Sequence, residues 1–245
     1  MDIRLIEERS LNALPSLYTM VYDGWILRFA KGYTRRANSV NPLYGGTLPL
    51  NEKIDYCEDV YRRHGLNVIF KLTDAAQPAE LEDVLVARGY EHQAGTIVET
   101  MDLTKVRFKR DANVVAQRQF TMTWFNAFAE LNGLREDAAG TLKKILAQIQ
   151  PRTCFASFVD EGQVVATGMA VLERGCVGLF DIVTDVNHRR KGYSTRLVSH
   201  LLAWAQEKGG HTAYLQVVGD NQPALWMYNK IGFKETYHYW YRVKS

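Results

Sequence analysis

Phe180-Asp181-Ile182-Val183-Thr184-Asp185-Val186-Asn187-His188-Arg189-Arg190-Lys191-Gly192-Tyr193-Ser194-Thr195-Arg196 is the stretch whose reading decides the fold. It begins inside a β-rich run, Val177 to Thr184, and ends inside a helical one, Ser194 to Lys208. The helix carries Leu197, Val198, Leu201, Leu202 and Ala205 on one side, the mark of a buried face. A strand, a short loop and a helix in this order aim several backbone N–H groups and the positive helix end at one spot. Gly192 lets a ligand approach the backbone without a Cβ in the way. Ser194 is expected to cap the helix, and Arg189, Arg190 and Lys191 add charge at the rim. By itself the basic run reads as a solvated surface. Its setting makes it a candidate pyrophosphate cradle. It matches neither a Walker loop nor a Gly-x-Gly-x-x-Gly fingerprint.

Working outward, Gly209-Gly210 ends the helix, and a strand (Thr212 to Val218) and a short helix (Pro223 to Lys230) follow. Gly232-Phe233 stops that helix before a final aromatic strand, Thr236 to Val243. Upstream, helical patterns run from Asn113 to Leu134 and from Asp137 to Ile149. Strand-like runs follow at Thr153 to Val159 and Gln163 to Leu172, joined by the hairpin turn Asp160-Glu161-Gly162. The first half shows a strand at Trp25 to Phe29 and an irregular loop from Lys31 to Gly46. It continues with a helix at Glu52 to His64 and a β-rich run at Asn67 to Leu72. A helix at Pro78 to Ala87, a stop at Gly89-Tyr90 and a strand from Thr96 to Leu103 close it. This order predicts an α/β chain of mixed sheet with flanking helices, divided into domains 1–108 and 109–245. Gln77-Pro78-Ala79 with Gly89-Tyr90-Glu91 faintly repeats as Gln222-Pro223-Ala224 with Gly232-Phe233-Lys234, which favours duplication of one fold.

The 245 residues are 47% hydrophobic and 23% charged, an ordinary globular composition. No window approaches a membrane-spanning length of apolar residues, and the start lacks a secretory pattern. Cys57, Cys154 and Cys176 are too widely spaced for a disulfide framework or a zinc site, so no metal is expected and a reduced cytoplasm is. A formal charge of +3 with one short cluster argues against nucleic acid as partner. Oligomeric state has no sequence signature here.

Arg189-x-x-Gly192-x-Ser194 resembles the Gln/Arg-x-x-Gly-x-Gly/Ala signature of the GNAT superfamily of acyl-CoA-dependent N-acyltransferases. Asn221-x-x-Ala224-x-x-x-Tyr228-x-x-x-Gly232-Phe233 resembles its downstream motif, and the order and spacing of the two also agree. The similarity covers about residues 113 to 243. The first half resembles a degenerate copy, as in tandem GNAT proteins. The resemblance implies acetyl-CoA, or another short acyl-CoA, as donor and an amine as acceptor. It implies that Ile182, Val183 and Thr184 bind the pantetheine arm through their backbone. Arg189, Arg190, Lys191, Gly192, Tyr193, Ser194 and Thr195 would hold the pyrophosphate. Asn221 would touch the cofactor arm, and Tyr228 would protonate the departing thiolate. Ser194 departs from the pattern, but a hydroxymethyl group is small.

Read from the residues alone, Tyr228 is a core aromatic and Asn221 a helix cap. Of the carboxylates that relatives use to take the amine's proton, one position is filled here by Gln216 and another by Gly178. Asp181 is nearest, although strand parity turns it to the opposite face from Phe180 and Ile182, and a water-relayed path competes with it. In the first half the counterpart of Tyr228 is Leu85. The basic loop from Gly32 to Ser39 precedes no matching helix, and is expected to bury its own polar groups. Trp124, Phe125 and Phe128 lie at core spacing, with an acceptor pocket as the alternative. A non-catalytic acyl-CoA sensor is the second functional expectation.

Overall fold

The computed structural model describes residues 2–244, apart from the side chain at position 94. They form two compact units. The first comprises Met1–Ile97, Val218–Asp220 and Thr236–Ser245, and the second Val98–Val217 and Asn221–Glu235. A cut at 108/109 would leave the whole last strand with the second unit, whereas from Thr236 on it lies with the first.

In the first unit, helix α1 (Ile3–Ala13) precedes strands β1 (Tyr18–Tyr22), β2 (Trp25–Phe29) and β3 (Val40–Asn41). Then come α2 (Leu50–Arg63), β4 (Val68–Thr73), α3 (Leu81–Ala87) and β5 (Glu91–Asp102), whose second half belongs to the second unit. The helix expected from Pro78 therefore starts only at Leu81. Antiparallel β1–β2 and β2–β3 pairs lead to a parallel β3–β4 pair. On its other edge β4 pairs antiparallel with the chain's last strand, β11 (Lys234–Lys244). Trp25, Leu27, Ile54, Tyr61, Phe70 and Leu85 are wholly buried in one apolar cluster.

The second unit continues with β6 (Val114–Gln117), α4 (Met122–Leu131), α5 (Glu136–Ala147), β7 (Arg152–Asp160), β8 (Gln163–Glu173) and β9 (Cys176–Thr184). It ends with α6 (Tyr193–Glu207), β10 (Thr212–Val218) and α7 (Gln222–Ile231). Strands β6 to β9 form an antiparallel meander, and β10 adds to β9 in parallel. The expected helix from Asn113 is two elements. Val114–Gln117 pairs with β7, and the helix starts only where Thr121 Oγ1 accepts the Trp124 N–H. Trp124, Phe125 and Phe128 are core, with the Trp124 and Phe128 rings stacked at 5.4 Å. The hairpin turn between β7 and β8 has positive φ at both Glu161 and Gly162, the geometry that suits twisted strands.

Because β9 and β10 run parallel, their carboxyl ends share one edge of the sheet. The amino ends of α6 and α7 follow those strands, so both start from that edge. No helix among the described residues is long and apolar enough to cross a membrane.

Candidate acyl-donor site

Strand β9 does not reach its carboxyl end as a regular strand. Thr167 pairs with Val183 and Met169 with Phe180, so Asp181 and Ile182 together oppose Gly168. This is a β-bulge, and Asp181 takes φ +54° within it. Parity reverses beyond it. Phe180 crowds Gly178 and Tyr214, whereas Ile182 lies over Gly168 beside Leu197 and Leu201 of α6. The expected placement of Phe180 and Ile182 on one face is therefore wrong, because one extra residue shifts every side chain after it.

After the bulge, Asp185 accepts the Asn187 N–H at 2.7 Å, and the chain turns through His188 into the basic loop. Arg190 (φ +64°) and Gly192 (φ +82°) are both left-handed. Such residues swing successive N–H groups to one side, as in backbone anion sites. Gly192 is the N-cap of α6 and carries no side-chain cap. Ser194 is not the cap: its hydroxyl meets Thr184 Oγ1 at 2.6 Å. The first intrahelical bond runs from the Arg196 N–H to the Gly192 carbonyl, 3.1 Å. The N–H groups of Tyr193, Ser194 and Thr195 thus have no partner within the helix, and the helix dipole adds positive potential there.

The side chains around the cradle divide into two sets. Arg189, Arg190 and Lys191 are exposed. Tyr193 and Arg196 are committed elsewhere. The Tyr193 hydroxyl donates to Asp160 and its ring stacks on Phe158 at 4.8 Å. Arg196 pairs with Asp111 at 2.7 Å, which holds that carboxyl below its usual range, and lies 4.5 Å over Phe158. Tyr193 can therefore serve the cradle only through its backbone. A glycine among left-handed backbone, an uncapped helix start and three exposed cations form a donor set that suits a diphosphate.

At the neighbouring helix start, Asn221 Oδ1 accepts the Ala224 N–H at 3.3 Å, the capping role read from the residue alone. Tyr228 is 7% exposed, with its ring edge-on to Phe233 at 5.8 Å. Burial first, and then the carboxylate of Glu99, push its phenol well above the usual tyrosine range. Gly178 could not be a carboxylate here, since a Cβ would lie 2.5 Å from both Phe180 Cε2 and Tyr214 Cζ.

Glu99 is the residue that the sequence reading passed over. It stands on β5, 4% exposed, with Oε2 lacking a hydrogen-bond partner among the described residues. The alternation Ile97, Glu99, Met101, Leu103 puts a charge on an apolar strand face. That was the available signal.

A family model described as "Probable histone acetyltransferase Rv0428c C-terminal" matches residues 1–242. The chain belongs to this family. It is a GNAT-type N-acetyltransferase. An uncharacterized N-acetyltransferase of Bacillus subtilis, YobR, is 28% identical over 247 residues, covering 99% of each chain. A GCN5-related N-acetyltransferase from Kribbella flavida shares the fold at TM-score 0.73 and 17% identity, over 100% of this chain and 96% of its own. A tandem GNAT protein from the clavulanic acid biosynthesis pathway matches at TM-score 0.66 and 14% identity, over 79% of this chain and 69% of its own. Among the described residues of this GNAT acetyltransferase, no group of three or more His, Cys, Asp or Glu side chains could hold a metal ion.

Proposed function

We propose that the chain transfers an acetyl, or another short acyl, group from coenzyme A to a primary amine by direct attack. The acyl donor is a substrate, bound at the carboxyl edge of β9 and β10. The observation that carries this reading is the open start of α6 at Gly192, with its left-handed, uncapped backbone. The diphosphate would take the N–H groups from Lys191 to Thr195, with Arg189, Arg190 and Lys191 screening its charge. The pairing of β9 with β10 runs only as far as Leu179 and Leu215, which supports pantetheine binding by the backbone of Ile182, Val183 and Thr184 beyond it. Asn221 would meet the same arm.

The chemistry then needs few groups. An alkylamine of pKa about 10 must lose a proton before attack. The N–H of Val183 would receive the oxyanion. Tyr228 would protonate the thiolate as the C–S bond breaks, its buried phenol keeping its proton until then. Asp181 and a water-relayed path are the two routes carried over from the sequence for the amine's proton. The first unit would be a degenerate copy of the same fold. The three cysteines, all free and buried, are consistent with a reducing cytoplasm.

Titration calorimetry with acetyl-CoA tests the donor site, and no detectable binding at millimolar ligand would remove it. Tyr228→Phe should lower turnover by about a hundredfold with unchanged acetyl-CoA affinity, the usual scale for loss of a general acid. Unchanged turnover would remove its role. A non-catalytic acyl-CoA sensor is the second reading, favoured by Gln216 where relatives carry a carboxylate. Thiol release across a panel of primary amines separates the two, because a sensor releases none above hydrolysis. Polyamines, aminoglycosides, amino acids and histone peptides, the last suggested by the family's description, belong in that panel.

A further inference from the structure

Glu99 and Met101 are two residues apart on β5 and so share a face. Met101 lies under the end of α7, where a Cβ on Gly232 would be 3.1 Å from its Cε atom. One turn back, the Tyr228 carbonyl accepts the Gly232 N–H at 3.1 Å. The strand face bearing Glu99 is therefore the one that packs against the helix bearing Tyr228. Glu99 is 4% exposed and its Oε2 has no hydrogen-bond partner among the described residues. A buried carboxylate oxygen in that condition is costly unless a ligand completes it. An ammonium group supplies the missing donor and charge.

We propose that Glu99 is the proton acceptor for the attacking amine. This rests on the acetyl-transfer reading above. Glu99 takes one proton from the ammonium ion, leaving a neutral amine. The amine nitrogen bonds to the thioester carbon, the C–S bond breaks, and the thiolate takes the Tyr228 proton. The acylated nitrogen releases its extra proton to water. Protonated Glu99 then gives its proton to water and the phenolate regains one from water, so the cycle closes with one proton in solvent.

Burial, and next the charge of Glu235, raise the Glu99 carboxyl above its usual range, with Lys234 opposing. A carboxylate so placed is a better base towards ammonium. Facing it are Tyr228 from α7 and Lys234 and Glu235 from β11. Activity should therefore be present above the raised pKa and fall as pH drops through it.

The experiment compares wild type, Glu99→Gln, Glu99→Asp and Asp181→Asn in thiol release with acetyl-CoA. The acceptors are a strongly basic amine drawn from the panel and methoxyamine, which is unprotonated at neutral pH. Glu99→Gln should lose about a hundredfold in kcat with the basic amine. It should keep its acetyl-CoA affinity, lose the acidic limb of the pH profile, and stay near wild type with methoxyamine. Glu99→Asp should recover part of the rate, and serves if the Gln variant does not fold. An equal loss with both amines marks a structural role and overturns the proposal. So does a loss with Asp181→Asn in place of Glu99→Gln, or a wild type that binds acetyl-CoA and acetylates no amine. Wild type that binds no acetyl-CoA overturns the donor site itself, a separate failure.

Discussion

Each unit has a conspicuous basic loop, and the two are built to opposite ends. The loop from Gly32 to Ser39 closes on itself. Asn38 is 3% exposed; its Oδ1 accepts the N–H groups of Ala30 (2.7 Å) and Gly32 (2.9 Å), and its Nδ2 donates to the Thr34 carbonyl at 2.8 Å. Arg28, buried beneath, donates to the carbonyls of Leu14 and Arg36. Among the described residues, no side chain caps the helix that begins in the loop from Arg189 to Thr195. A basic run in sequence thus says little about function. What separates the two loops is whether the backbone donors are already used.

Three substitutions would break or sharpen that contrast. The largest effect is expected from Asn38→Ala, which removes three hydrogen bonds from the closed loop at about 1 kcal/mol each. Denaturant titration should show that loss, with acetyl-CoA affinity unchanged. A parallel fall in affinity would mean that the first loop does more than hold itself. Next comes Gly192→Val in the open loop. No atom lies within 4 Å of a Cβ there, so the cost is the left-handed backbone itself, about 1–2 kcal/mol. Calorimetry should register this as about a tenfold weaker acetyl-CoA complex. An affinity equal to wild type would show that the cradle needs no glycine. The smallest change is expected from Ser194→Ala, which loses the Thr184 partner, about 1 kcal/mol of stability at most. Acetyl-CoA binding should survive it. A large fall would give that hydroxyl a ligand of its own.

The repeat seen in the sequence has a structural counterpart. The Tyr90 N–H reaches the Leu85 carbonyl and the Phe233 N–H reaches the Tyr228 carbonyl, both at 3.0 Å, across a left-handed Gly89 or Gly232. Leu85 and Tyr228 therefore hold the same place at two helix ends, and one is wholly buried core while the other presents a phenol. Punctuation of this kind is local, which is why glycine stops, hairpin turns and the buried face of α6 could be read in advance.

Features set by distant partners could not be. Val114 to Gln117 forms an edge strand with only Val114 buried, so its pattern carries no strand alternation and merged with the helix after Thr121. The bulge at Asp181 depends on how β8 meets β9, and no residue type announces it. Glu99 was visible as a charge on an apolar face, but its strand read as the close of the first half. Its relation to Tyr228 appears only once α7 packs on it.

The last strand sets the order in which the chain can be finished. Tyr239 to Lys244 pair with Val68 to Thr73, and the Tyr237 hydroxyl donates to Glu7, the buried partner of Lys71. During synthesis the first 97 residues leave the ribosome long before the strand that completes their sheet. Until then Glu7 and Lys71 lack Tyr237, and one edge of β4 stays open. The unit made first is therefore the unit closed last, and a fragment ending at residue 108 would never close it.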